Sequence, residues 1–294
     1  MAGSVHVPVM LREVLQALDL SPGLTVVDGT TGAGGHSRKI VQQIGPDGVL
    51  VGLDRDSMML NFAAEKVSGP NVHLRQASYH QLREQLDELK IESVDRILLD
   101  LGLSSDQLAD RDRGFGFSTE APLDMRFDVS SGESAAELLA HIDEASLKNI
   151  LETYGEERFS ESIARHIVER RRGRPILTTS DLSEAVEEAI PAAVRRQSRK
   201  EPSTRVFQAL RIAVNDELQH LEQALERVLW ECLAPGGRLA VITFHSLEDR
   251  LVKNAFRGGD HWQVVTRKPV SATPAEIRIN PRSRSARLRT AVKL

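Results

Sequence analysis

A short apolar run ending in an acid, Val26-Val27-Asp28, passes directly into Gly29-Thr30-Thr31-Gly32-Ala33-Gly34-Gly35-His36-Ser37. Glycines let a backbone approach a ligand without Cβ interference. The helix that follows starts with amide donors that have no partner inside it. Together they predict a site for a nucleotide-type cofactor. Spacing disfavours two of these. A dinucleotide fingerprint requires G-x-G-x-x-G. Counted from Gly32, the second glycine falls at Gly34, but the third position holds Ser37. A P-loop would need a lysine that this turn lacks. The carboxylate of Asp28 would repel phosphates and suits an ammonium group or bound water around a methionine-type moiety. A second acid, Asp54, ends the next apolar run, where it can accept from both hydroxyls of a ribose.

Other residues have reactive types but weaker patterns. Asp100 follows Ile97-Leu98-Leu99, where an aspartate can be a hydrogen-bond acceptor in a site or a simple turn cap. Gly102-Leu-Ser104-Ser-Asp106 approaches a nucleophile elbow but lacks its closing glycine. His245, Ser246, Glu248 and Asp249 could suggest a hydrolytic relay. Neighbours on a strand point to opposite faces, so His245 and Ser246 are not expected to form one. His245 is expected at the mouth of a cleft instead.

The elements that must position these residues follow from periodicity. Apolar runs at 24–28, 49–54, 72–75 and 94–100 alternate with helical patterns at 36–44, 57–67 and 79–89. Such repetition calls for a parallel sheet covered on both faces. From Gly132 to Arg174 the signal is purely helical, opened by Ser134-Ala-Ala-Glu137 at capping-box spacing. Asp181 with Glu184 marks another helix start, 191–202 reads as a loop, and Thr204 begins a helix through Phe207, Leu210 and Val214. Strand signals return at 238–244, 262–266 and 285–292. We therefore expect an α/β domain at 1–106 and 204–294, interrupted by a helical insertion at 107–203.

The chain has 294 residues, 40% hydrophobic and 27% charged, with a formal net charge of −4. Cations nevertheless gather at Arg170–Arg174, Arg195–Lys200 and Arg282–Arg289. A local field of this kind can bind phosphate on a net acidic protein. Arg282, Arg284, Arg287 and Arg289 are the candidates for such pairing. Cys232 is the only cysteine, so no internal disulfide forms and no cysteine-based metal site exists; no metal is expected. No apolar stretch reaches the roughly 20 residues that span a bilayer, and no signal peptide is evident. A cytoplasmic protein is expected.

With Leu233-Ala-Pro-Gly-Gly237 leading into a later strand, the glycine turn and the two acids resemble the class I methyltransferase pattern. The resemblance becomes specific through a set of motifs. These are His6-Val-Pro-Val-Met-Leu11, Asp28 to Ser37, Asp100-Leu-Gly-Leu-Ser-Ser-Asp-Gln107-Leu and Arg113-Gly-Phe-Gly-Phe117. Pro122-Leu-Asp-Met-Arg126, Tyr154-Gly-Glu-Glu-Arg158-Phe, Phe244-His-Ser-Leu-Glu-Asp-Arg250 and Asn280-Pro-Arg-Ser-Arg-Ser285 complete it. The combination, covering nearly the whole chain, resembles the RsmH (MraW) family of bacterial 16S rRNA cytosine-N(4) methyltransferases. That resemblance implies a Rossmann-like class I fold and S-adenosyl-L-methionine as methyl donor. It also implies a target cytidine in the decoding region of 16S rRNA, reached free or within the small ribosomal subunit.

Residue by residue, the resemblance implies that Gly34, Gly35 and His36 contact the cofactor through the turn and that Asp54 holds its ribose. Tyr79 stands where the family often has phenylalanine and would flank the adenine. Asp100 and Gln107 would complete the pocket, with Asp100 also the candidate acceptor for the amine. His245, Arg282 and Arg284 would face the RNA, and the insertion would recognise it. Enzymes acting on exocyclic amines often place a proline pair and an aromatic after this acid. Here Asp100-Leu-Gly follows instead, so Phe115 or Phe117 is expected to supply the stacking ring. The segment between Arg250 and Trp262 is shorter than in many relatives, and Arg113-Gly-Phe carries glycine where serine is commoner. Two other readings compete: a nicotinamide dehydrogenase on a similar fold, disfavoured by Ser37 and Asp28, and an RNA-binding assembly factor with a retained pocket but no catalysis.

Overall fold

The computed structural model describes residues 8–116, 120–193, 200–258 and 260–294, with backbone alone at Lys200 and Glu201. His6, Phe117 and the cations at 195–199 lie outside the described residues. Two compact units are present, one formed by Met1–Ser104 with Leu218–Leu294, the other by Ser105–Glu217.

The first unit is built on a sheet of β1 Thr25–Asp28, β2 Val49–Asp54, β3 Val72–Gln76, β4 Val94–Asp100, β5 Leu233–Thr243, β6 Trp262–Val264, β7 Val270–Ser271 and β8 Arg287–Lys293. Their order is β3-β2-β1-β4-β5-β8-β6, with β7 also on β8. The pairs from β3 to β5 are parallel, whereas β8 runs antiparallel to β5, β6 and β7. Strand chemistry explains why both faces are covered. Val27, Val51, Ile97, Leu99 and Val241 point into one buried cluster; Val26, Leu50, Leu98, Ala240 and Ile242 point into the other. A strand alternates its side chains between faces, so apolar residues at every position need helices on both sides. One face is closed by Val14, Leu18, Ile40 and Ile44 from helices Leu11–Leu18 and Gly35–Ile44. Leu82 and Leu86 help close the other, with Leu221, Leu225, Leu229, Val252 and Phe256.

The helix ending at Cys232 contains a π-helical turn over Ala224–Val228, with Ala224 and Leu225 buried. The expected strands at 49–54 and 94–100 are observed at those bounds, and the sequence signal at 238–244 is the outer half of a longer β5. The longer strand follows from a register shift between Val94 and Arg96 that absorbs Pro235-Gly-Gly. The short β7 and the helix Pro274–Ile279 had no signature in the periodicity.

The second unit is helical. Ser134 caps Ala135–His141 through a capping box with Glu137, as the spacing predicts. Thr178, three residues before Asp181, caps Thr179–Ala189, so that helix starts earlier than the acidic pair implied. The helix Lys200–Asn215 begins before Thr204 and carries Pro202 in its first turn, where a missing N–H costs nothing. This helix belongs to the helical unit, whereas the sequence placed everything from 204 onward in the α/β domain. The reason is close packing: a Cβ on Gly155 would lie 2.9 Å from the Arg205 carbonyl oxygen and 3.3 Å from the Ala209 Cβ. Gln208 also donates to the Tyr154 carbonyl, and Asn215 to that of Met125.

Most of the Arg170–Arg174 run is engaged within this unit. Arg170, with 6% of its side chain exposed, pairs with Glu184 and Glu188. Arg171 donates to the carbonyls of Leu139 and Ile142, and Arg174 pairs with Asp181 and Glu184. Three of its four arginines are thus committed to helix ends and acids rather than to phosphate.

In the first unit, His80 and His220 stack at 3.9 Å between ring centroids, with Arg55 Nη1 3.5 Å from His220 Nδ1. Burial, then the neighbouring His80 and Arg55, lower the His220 pKa to about 4. A histidine whose proton affinity falls on folding contributes fully above its ordinary value near 6.5 and loses that contribution as pH drops toward 4. His220→Phe keeps a stacking ring and removes the titration. Its melting temperature should gain on the wild type as pH falls from 6.5 to 4; a constant difference in calorimetry across that range would refute this.

Candidate active site

The site lies at the carboxyl ends of β1, β2 and β4, where a parallel sheet leaves its crevice. The turn after β1 is held by its own acids. Asp28, 1% exposed, accepts Ser37 Oγ at 2.6 Å on one oxygen and the Thr30 amide at 3.3 Å on the other. Its carboxylate therefore braces the turn from within. Asp54 accepts the Gly32 amide at 2.7 Å and the Asp56 amide at 2.9 Å, one on each oxygen. Each oxygen keeps a second lone pair. Burial raises the Asp54 pKa to about 6 against the pull of those two amides.

Gly34 caps the Gly35–Ile44 helix with φ +80 and has no side chain to satisfy the first-turn amides. A Cβ there would stand 2.9 Å from Val67 Cγ2 and 3.3 Å from the Ala63 Cα. His36, 6% exposed, turns its ring inward, with Nε2 3.0 Å from the Val9 carbonyl oxygen and Nδ1 3.7 Å from Asp100 Oδ2. Burial lowers its pKa. Tyr79 opens the 3-10 turn Tyr79–Gln81, and its Cβ would be 3.1 Å from a Cβ on Gly29, placing it directly against the turn.

Asp100 ends β4. Its amide donates to Thr30 Oγ1 at 2.6 Å, tying the end of this strand to the glycine turn. Burial drives its carboxyl up to about 7, while the Gly102 amide and the charge of Arg282 pull it down and Glu248 pushes it up. Oδ1 is buried and has no hydrogen-bond partner among the described residues. An unsatisfied buried polar atom costs about 1–3 kcal/mol, more when charged.

Beside it, the Phe244 ring lies on the backbone of Gly102: a Cβ at 102 would meet Cε2, Cζ and Cδ2 at 2.5 to 3.0 Å. Phe244 is thus an aromatic packed just past the end of β4, contributed from beyond β5. Phe115, by contrast, is 7% exposed and stacked on Phe127 at 5.5 Å inside the helical unit. Its expected role as the stacking ring is corrected on that ground.

His245 stands past the end of β5 as the N-cap of Ser246–Arg257, its Nδ1 3.4 Å from the Glu248 amide. Glu248 returns the bond to the amides of Phe244 and His245 at 2.7 and 3.3 Å. His245 and Glu248 thus close the first turn of this helix reciprocally. Arg282 and Arg284 lie on the 3-10 turn Pro281–Ser285, Arg282 half-buried and Arg284 exposed. Arg289 is 6% exposed and pairs with Asp249 through two bonds of 2.8 and 2.9 Å, so its expected phosphate role is corrected; Arg287 lies 3.5 Å from the same acid. Gln107, on the short helix Ser105–Ala109 of the helical unit, is buried there.

Thr30 and Phe244 had not been singled out as site residues, and Glu248 only within the disfavoured hydrolytic relay. The signal for Glu248 was its position three residues after a capping residue. Nothing in the spacing announces that Thr30 binds Asp100 or that Phe244 meets Gly102. Among the described residues, no three His, Cys, Asp or Glu side chains are grouped to hold a metal, and no helix is long and apolar enough to cross a membrane.

Uncapped helix amides, a glycine turn tied to Asp54 and a buried Asp100 oxygen with no hydrogen-bond partner among the described residues line one end of the sheet. Set on a sheet of this order, this cradle defines a class I S-adenosylmethionine-dependent methyltransferase. The chain belongs to the MraW methylase family, whose description matches residues 3–294. A relative from Geotalea uraniireducens named "ribosomal RNA small subunit methyltransferase H" is 47% identical, over 98% of this chain and 98% of its own. One of the same name from Symbiobacterium thermophilum is 44% identical, over 98% and 96%. Among solved structures, an rRNA methylase from Streptococcus thermophilus covers 99% of both chains at 11% identity and a TM-score of 0.44, too distant to bear on the site.

Two outcomes follow. Gly34→Ala puts a Cβ into left-handed backbone and into Val67, costing about 1–2 kcal/mol from conformation alone. Its melting temperature should fall, and S-adenosylmethionine affinity by calorimetry should fall with it; wild-type values for both would be incompatible with this turn. Asp100→Asn removes a carboxylate whose folded pKa is raised. That group weakens the fold as pH rises through about 7. The ligand-free variant should therefore melt above the wild type at pH 8 by about 2 °C or more, with the gap closing toward pH 4.

Proposed function

We propose that this chain methylates the exocyclic N(4) amine of a cytidine in the decoding region of 16S rRNA, free or within the small ribosomal subunit. The observation that carries this reading is the buried Oδ1 of Asp100 at the carboxyl end of β4, which has no partner among the described residues. The amine of cytosine is a poor nucleophile because its lone pair is delocalised into the ring. A carboxylate that accepts one of its hydrogens returns electron density to nitrogen, and it can take the proton released when the N–C bond forms. The names of the relatives support ribosomal RNA of the small subunit as the substrate.

S-adenosylmethionine supplies the electrophilic methyl group on its sulfonium. The chain's own residues bind and orient. Gly34, Gly35 and His36 hold the cofactor through the turn, Asp54 offers its remaining lone pairs to the ribose, and Tyr79 flanks the adenine. Gln107 is assigned to the cofactor on family resemblance alone. The helical unit recognises RNA, and Arg284 with Arg282 meets phosphate. Extracting a base from its stack costs a few kcal/mol, which such flanking contacts offset. A ribosomal RNA substrate supports a cytoplasmic location.

The test is methylation of small subunits from cells lacking this activity, with the product nucleoside identified by mass spectrometry. N(4)-methylcytidine is expected; a carbon-methylated base or another nucleoside would end this proposal. Asp100 must be ionised to accept, so turnover should rise with pH through about 7. Asp100→Asn should lower kcat by about 10²-fold or more and abolish that rise.

A further inference from the structure

We propose that the outward face of the helix Ser246–Arg257 is a track for the RNA backbone next to the methylated nucleotide. The inference rests on the RNA substrate proposed above. At 3.6 residues per turn, Arg250, Lys253 and Arg257 fall within one narrow arc of this helix. Glu248, Asp249, Val252 and Phe256 are buried on the side that packs against the sheet. Arg250 and Arg257 are exposed and Lys253 is half-exposed. The rest of the outer arc is Ser246, Leu247 and Asn254, so it carries no acid.

The acids of this helix are used internally. Glu248 accepts the amides of Phe244 and His245. Asp249 is held by Arg289 and lies 3.5 Å from Arg287. Their charges are thus met inside the unit while the cations face outward.

The direction of the track suits the same substrate. Its start borders the reacting end of the site: Phe244, just before the helix, lies on Gly102, and the field of Glu248 reaches Asp100. From Arg250 to Arg257 the helix advances roughly 10 Å. Arg257 then reaches the Arg267 carbonyl at 3.4 Å, where Arg267 and Lys268 are exposed. A row of cations leading away from a cleft fits a polyanion threaded through that cleft. Such contacts carry position rather than sequence.

The experiment compares the wild type, R250A/K253A/R257A, and a control that loses equal charge elsewhere on exposed positions, K39A/K66A/R227A. Affinity for an oligoribonucleotide of the decoding region is read by fluorescence anisotropy over a salt series. S-adenosylmethionine affinity by calorimetry reports an intact fold. On single strands each phosphate contact contributes about 0.7 to the salt slope. The triple variant should therefore lose about 2 from the slope of log K against log salt, with equal losses on an unrelated RNA strand, and retain cofactor affinity. The control should keep the wild-type slope. A triple variant with the wild-type slope would overturn the track while leaving the RNA reading standing, as would a control that loses as much. Loss confined to an acidic protein partner, with RNA affinity intact, would do the same. A wild type with no salt-dependent affinity for the RNA would overturn both.

Discussion

The site depends on one electrostatic constraint: acids must be kept at the carboxyl ends of parallel strands that are apolar on both faces. A buried carboxylate is tolerable only when its oxygens are met. Asp28 and Asp54 meet that requirement internally, through Ser37, Thr30, Gly32 and Asp56. These bonds also fix the path of the glycine turn, so the shape of the cradle and the solvation of its acids have a common origin. Asp100 is treated differently. Thr30 fixes its backbone, yet one carboxylate oxygen has no partner among the described residues. The fold gives up stability at this position, where the proposed reaction would use an acceptor.

Much of this architecture was legible because it depends on local rules. Val26, Leu50 and Leu98 alternate with Val27, Val51 and Leu99, and that alternation requires a sheet covered on both faces. The Asp28-to-Ser37 turn announced a ligand site through residue type alone. What escaped was set by distant partners. Asp28 has the right position for a ligand contact, and nothing in its spacing shows that Ser37 also holds it. Arg289 sits in a cationic run, but Asp249 takes it into the interior. Phe115 was a plausible stacking ring until its packing on Phe127 was seen. In each case the sequence shows the functional group and hides its partner, which lies from 9 to 40 residues away.

The helical unit shows the same limit at a larger scale. Its capping box at Ser134 and Glu137 could be read directly, because the motif is contained in four residues. Membership of the helix Lys200–Asn215 could not, since it rests on the smallness of Gly155 facing Arg205 and Ala209. A glycine chosen for close approach looks, in a linear chain, like a glycine chosen for a turn. The arginines at 170–174 make the complementary point, because a cluster of charge reads as surface until its acids and carbonyls are located.

The place of β8 in the sheet bears on how the protein is made. It lies between β5 and β6, although both precede it in the chain. While the ribosome has delivered β5 but not residues 287–293, β5 presents a row of open amide and carbonyl groups, the form of edge that invites pairing with another chain. The nascent protein thus passes through an interval in which its parallel strands can assemble but remain unsealed. Crowded translation would make that interval its period of greatest exposure to aggregation.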